Sequence, residues 1–209
     1  MNKTFHSIES EKQERIINAA MKEFTGGFKH ASTDVISRNA GISKGVIFHH
    51  FGTKEKFYDS LIDYAIGIIS AEYIERIDTQ NADIFDSIWQ MALLKQEIAK
   101  RHPTIFQFLS SVYIDAKKCP AKKHLIKFEK IRAEKFAEVY ESCDKSLFRD
   151  GVDPQKAVDL VLWALDGWAE TKTRRFVLKN IGRELKENYD AYLVEMKGYL
   201  DILRQCFYK

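Results

Sequence analysis

Gly41 most limits how this chain can fold. It stands in the stretch TDVISRNAGISKGVIFHHFGTK, Thr33 to Lys54. Residues 33–39 read as a short helix with Val35 and Ile36 apolar. Ala40-Gly41-Ile42 follows, and glycine suits a tight turn that needs φ > 0. Ser43 can cap a second short helix through its hydroxyl, with residues 44–51 as its body. Two short helices joined by a glycine-containing turn of three to four residues make a helix-turn-helix. Ile36, Ala40, Ile42 and Ile47 would hold the helices together. That leaves Ser43, Lys44, Gly45, Val46, His49 and His50 on the outer face of the second helix.

Charge indicates what that face meets. Between Lys29 and Lys54 the only acidic residue is Asp34, against Lys29, His30, Arg38, Lys44, His49, His50 and Lys54. Duplex DNA carries one negative charge per about 1.7 Å of axis, so a recognition helix free of carboxylates suits it. The whole chain is only mildly basic, with net charge +3, so a nucleic-acid surface must be local. A basic helical hairpin with no such partner is the plain alternative.

The remainder reads as helix nearly throughout. With 3 prolines and 10 glycines in 209 residues, and apolar residues at helical spacing, an all-α protein of about nine helices is expected. Residues 1–10 are polar and read as a frayed end. Ile16, Ile17, Ala20, Met21 and Phe24 make one stripe on a helix over 11–24, stopped by Gly26-Gly27. Phe28 should tuck beneath the following helices, and Ser32 or Thr33 should cap the next. Gly52 should end the recognition helix and Thr53 should cap a helix over 54–77. Lys54 in that helix's first turn opposes the helix dipole, and a phosphate over the same N-terminus would account for it. Further helices are expected over 83–101, from Pro103, and from Pro120 to 143. Asp153-Pro154, a cap followed by proline at the first helical position, opens another, broken by Gly182. A last helix is expected over 188–207. The boundaries predict a helix-turn-helix domain over 1–53 and a larger ligand-binding and dimerisation domain over 54–209.

Other chemistry is poorly supported. Cys119, Cys143 and Cys206 are odd in number and unpaired in any CxxC, as in a reducing compartment. No apolar run reaches the ~18 residues of a membrane span, and the N-terminus lacks a signal-peptide core, so the expectation is a cytoplasmic protein with no membrane partner. His49 and His50 point about 100° apart on a helix, no HExxH or ExxH occurs, and no phosphate-binding or nucleophile-elbow motif is present. No cofactor, metal or catalytic residue is expected. An all-α enzyme using Asp166 or Glu170 in an aromatic cavity is one alternative, and a nucleoid protein binding DNA without a preferred site is another. Asp166 interrupts an apolar run and reads first as solvent-facing.

On these residues the chain resembles the TetR family of transcriptional regulators. The resemblance lies in the apolar first helix, Gly27-Phe28, Ser32-Thr33, Ile36, the turn Ala40-Gly41-Ile42-Ser43-Lys44-Gly45, Phe48-His49-His50-Phe51 and Lys54-Glu55. It covers about a quarter of the chain. Beyond it the likeness is one of length, helix count and a final helix pair. Three positions depart: Phe48 replaces a usual tyrosine and loses a phosphate-binding hydroxyl, Ser37 replaces alanine, and Phe57 replaces leucine. The resemblance implies that Thr33, Lys44, His49 and Lys54 touch DNA, with Ser32, Ser43, Gly45 and His50 completing the surface.

Two expectations concern the larger domain. The helix from Pro154 is apolar on more than one face, so one side can meet its own core and another a second copy. With the last helix it would give a four-helix homodimer interface of Leu165, Trp168, Tyr192, Met196, Tyr199, Leu200 and Leu203. The partner DNA would then be a palindromic operator. The resemblance further implies an apolar cavity for a small apolar effector, lined by Trp89, Phe106, Leu109, Tyr113, Phe128, Trp163 and Gly167. A repressor released by that ligand is the implied function.

Overall fold

The computed structural model describes residues 5, 7–115, 122–179 and 189–209. These form nine α-helices: α1 Ser10–Phe24, α2 Thr33–Ala40, α3 Lys44–Phe51, α4 Lys54–Glu72, α5 Ile84–Arg101, α6 Pro103–Asp115, α7 Lys122–Ser142, α8 Pro154–Lys179 and α9 Tyr189–Phe207. The expected all-α class is what is seen. Among the described residues the nearest thing to a sheet is an isolated bridge between Phe148 and Tyr208. Pro120, Gly182 and Asn188, expected at helix ends, lie outside the described residues.

Local chemistry sets most boundaries. Gly41 (φ 66°), Gly52 (φ 77°) and Gly27 (φ 98°) take left-handed backbone. At Gly41 the α2 carbonyls are closed by Gly41 N–H to Arg38 O (3.2 Å) and Ile42 N–H to Ser37 O (3.0 Å), the Schellman pattern. Thr53 caps α4 by accepting from Lys56 N–H at 3.2 Å. Asp153 caps α8 by accepting from Gln155 and Lys156 N–H. α4 ends at Glu72, short of the expected 77, and a single 3-10 turn, Ile74–Arg76, follows.

The chain divides into two compact units. One comprises Met1–Arg76 with Glu97–Phe136, the other Ile77–Gln96 with Ala137–Lys209. The first has an aromatic core. Phe24 lies 4.8 Å from Tyr58 and 6.2 Å from Phe57, Phe51 lies 4.4 Å from Phe57, and Tyr58 meets Phe108 edge-on at 5.7 Å. Such rings bury about 150–250 Å² each. Phe5, expected in a frayed end, is fully buried against Phe51 at 5.0 Å. One aromatic in a polar segment has no periodicity to reveal it. α4 is the hub of this unit. His124 of α7 sits 2.6 Å from Asp63 Oδ1, Lys123 sits 2.9 Å from Asp59, and Arg101 sits 2.6 Å from Glu72. On α6 the buried stripe is Ile105, Phe108 and Val112, one position before the expected face of Phe106, Leu109 and Tyr113.

The second unit is closed by its C-terminus. Asp83 accepts from Phe85 N–H (2.9 Å) and Asp86 N–H (3.2 Å) at the start of α5. Arg204 of α9 pairs with Asp83 and, at 2.8 Å, with Asp86. Arg149 Nε–H donates to Tyr208 O at 2.7 Å. Burial, and then the Asp83 carboxylate, push the Tyr208 phenol well above its ordinary range. Ala157, Val158, Val161 and Leu165 of α8 and Leu200 of α9 are buried here.

Candidate nucleic-acid interface

α3 turns one face into the fold and leaves the other exposed. Ile47 and Phe51 are buried, while Val46 and His50 are half-buried. Lys44, Gly45, Phe48 and His49 are exposed. These four stand at i, i+1, i+4 and i+5, which is one face of a helix.

Each expected DNA-binding side chain has a definite environment. Lys44 Nζ pairs with Asp34 Oδ2 of α2 at 2.9 Å and stands 5.9 Å from the Phe48 ring centroid. Lys54 Nζ lies 4.8 Å over the Phe28 ring, which itself stacks on Phe24. That cation–π contact gives Lys54 a structural anchor the sequence did not disclose. Ser43 and Ser32 hold extended cap conformations, yet neither hydroxyl makes the expected cap bond. Ser43 is exposed, and at an exposed helix end water can satisfy the first N–H groups. Ser32 instead donates its backbone N–H to Glu23 Oε1 at 2.9 Å. Thr33 is buried, and its carbonyl accepts from Ser37 Oγ at 2.7 Å. Serine in place of alanine at 37 therefore costs no unsatisfied hydroxyl.

The two histidines separate in role. His49 is exposed. His50 turns its ring edge-on to Phe5 at 5.9 Å. Burial, then the neighbouring His49 and Lys12, hold its pKa below the ordinary value of 6.5. His50 thus braces α3 against the N-terminal segment. Phe48, read from sequence only as a lost hydroxyl, is 38% exposed.

The residues expected around an effector are distributed as follows. In the first unit Phe106, Leu109 and Phe128 are half-buried and Tyr113 is 65% exposed. In the second, Trp89 is half-buried with Lys197 5.8 Å from its ring centroid, and Trp163 is 69% exposed. A Cβ on Gly167 would meet nothing described within 4 Å. Asp166 and Glu170 are exposed. A cleft the sequence did not disclose, of about 450 Å³, lies in the first unit. It is lined by Gln13 and Asn18 of α1, Tyr64 of α4, and Arg101, His102 and Thr104 where α5 meets α6. Among the described residues no three His, Cys, Asp or Glu side chains converge as a metal site.

Of the expected dimer residues, Leu165 and Leu200 are buried within their own unit. Trp168 is half-buried between Tyr192 (6.5 Å) and Tyr199 (6.2 Å), and its Nε1–H donates to Glu195 at 3.1 Å. Met196 and Leu203 are half-buried. Among the described residues of the helix pair, large hydrophobic side chains are exposed at Leu160 and Trp163 on α8 and at Val194, Tyr199 and Ile202 on α9.

Residues 16–61 match the model of the bacterial regulatory proteins of the tetR family. Over its length the chain is similar to the nucleoid occlusion factor SlmA of Vibrio atlanticus, with 23% identity across 88% of this chain and 92% of that protein. Its fold resembles a TetR family transcriptional regulator from Chloroflexus aurantiacus, with TM-score 0.65, 19% identity and coverage of 100% and 98%. It also resembles the ketosteroid transcriptional regulator KstR2 of Mycobacterium tuberculosis, with TM-score 0.63, 19% identity and 97% of both chains covered.

Proposed function

We propose that the chain is a TetR-family DNA-binding regulator that acts as a homodimeric, ligand-released repressor at an inverted-repeat operator; the family-model match over residues 16–61 and the likeness of its all-α fold to TetR-family structures support this. The observation that carries the DNA assignment is α3 itself, whose exposed face has Lys44, Gly45, Phe48 and His49 and no carboxylate. One such helix reads few bases, so a two-fold dimer would set two of them in successive major grooves about 34 Å apart or a multiple of it. We assign the dimer contact to α8 and α9, with Leu160, Trp163, Val194, Tyr199 and Ile202 at its centre and Trp168, Tyr192, Met196 and Leu203 behind them. A contiguous exposed apolar patch marks an association surface, and this assignment takes these side chains to form one.

For control, the proposed effector is a small, mainly apolar molecule held in the larger domain, with Phe106, Leu109 and Phe128 the first side chains to test. A ligand changes DNA affinity only through its differential affinity for two states. A hundredfold release asks for about 2.7 kcal/mol of coupling. A cytoplasmic location accords with the described helices, none of which is long and apolar enough to cross a membrane. Selection of duplexes from a random library by the full chain, followed by band shifts, tests the DNA assignment. Failure to enrich any sequence would remove the operator, and failure to shift any duplex would remove the DNA assignment.

A second reading draws on the name of a relative. Similarity to a nucleoid occlusion factor over most of the chain fits the alternative of a nucleoid protein that binds DNA without a preferred site. Genome-wide occupancy separates the two: a few promoter peaks support the repressor, and dispersed sites support the nucleoid reading.

A further inference from the structure

Among the described residues of the helix-turn-helix domain, Phe48 is the one large hydrophobic side chain left exposed. It lies at the centre of the α3 face that the DNA-binding reading assigns to the major groove, and the role inferred for it rests on that reading. Its surroundings are specific. Lys44, one turn earlier, places its ammonium 5.9 Å from the ring centroid and is itself held by Asp34. Gly45, next to Lys44, presents no side chain, and the nearest atom to a Cβ there would be Ser43 Oγ at 3.8 Å. The ring therefore borders a notch without a side chain, with Lys44 and His49 on the same face.

The floor of the major groove offers hydrogen-bond donors and acceptors and one apolar group, the C5-methyl of thymine. A phenyl ring has no hydrogen bond to give, so it reads nothing polar and reaches no phosphate oxygen by a hydroxyl. It can cover a methyl. We propose that Phe48 is a specificity-determining residue that recognises a pyrimidine C5-methyl group in each half-site. The same methyl is presented by thymine and by 5-methylcytosine, so one contact serves either base. Lys44 adds backbone attraction beside it without distinguishing sequence.

The test uses the full chain and the duplex it enriches most from a random library. Each thymine in a half-site is replaced in turn by deoxyuridine, which removes only the methyl, and each cytosine by 5-methylcytosine, which adds one. One buried methyl corresponds to about a fourfold change in affinity. At one position per half-site the unmodified chain should lose about that factor with deoxyuridine if thymine is the source. It should gain the same factor with 5-methylcytosine if cytosine occupies the position. Phe48→Ala should bind with no methyl dependence there, and Phe48→Tyr, which keeps the ring, should retain it. The salt dependence of Phe48→Ala should match that of the unmodified chain, because no phosphate contact is lost. Methyl-independent binding by the unmodified chain, or equal dependence in Phe48→Ala, would overturn the proposal. If no duplex is enriched, the operator-binding reading on which this rests falls, a different result from either of these.

Discussion

Asp34 is the sharpest probe of the proposal that α3 meets DNA. Its carboxylate holds Lys44 Nζ at 2.9 Å, and both side chains are about half exposed or more. Two unit charges at that separation attract by roughly 1.4 kcal/mol in bulk water. Measured exposed pairs contribute about 0–1 kcal/mol once screening and side-chain entropy are counted. Asp34→Asn should therefore cost about 1 kcal/mol of stability or less, including its place in the first turn of α2. For DNA the sign reverses. The substitution removes the carboxylate that holds Lys44 and frees that lysine for a phosphate, so affinity should rise by up to about fivefold at physiological salt. Lys44→Ala should do the opposite, lowering the slope of log K against log salt by about 0.9. Its deficit relative to the unmodified chain should shrink by about 3.5-fold between 50 and 200 mM salt. Fluorescence anisotropy on a labelled duplex at four salt concentrations gives both quantities. Weaker binding by Asp34→Asn, or an unchanged slope in Lys44→Ala, would refute the reasoning.

Other substitutions probe the scaffold and the assembly. Phe24→Ala removes a fully buried ring that meets Phe57 and Tyr58, and should lower unfolding free energy by about 3–5 kcal/mol in urea. Asp83→Ala loses the α5 cap and the partner of Arg204, and should cost about 1–2 kcal/mol in the same assay. His50 has a folded pKa depressed by burial. The stability it contributes is present above about 6.5 and is lost as pH falls below that value. The urea midpoint should thus drop between pH 7.5 and 5.5, and drop less in His50→Gln; equal drops would remove His50 as the cause. Trp163→Glu places a charge in the proposed α8–α9 interface and should yield monomers in sedimentation at micromolar concentration. An unchanged dimer would move the interface elsewhere.

What could be read from sequence was what neighbours in the chain decide. Gly41 and Gly52 take positive φ and Thr53 and Asp153 cap because turn and cap chemistry acts within three or four residues. Ser43 shows the limit. Its backbone is in the cap conformation, but whether the hydroxyl bonds is settled by competition with water at an exposed end. Long-range contacts were hidden. Lys54 was accounted for by a phosphate alone because the ring beneath it, Phe28, is 26 positions earlier. Phe5 looked frayed because its partners, His50 and Phe51, are more than forty positions away. On α8 and α9 periodicity located apolar stripes but did not say which side faces the chain's own core. Leu165 and Leu200 turned inward, and Trp163, Val194 and Ile202 outward.

The central claim is that two copies of this chain present two α3 helices to one palindromic duplex. Sedimentation of the full chain with the duplex it enriches from a random library measures that directly. The expected result is a complex with two-fold stoichiometry, two chains or a multiple of two per duplex. An equal affinity for scrambled DNA, or one chain per duplex, would contradict it.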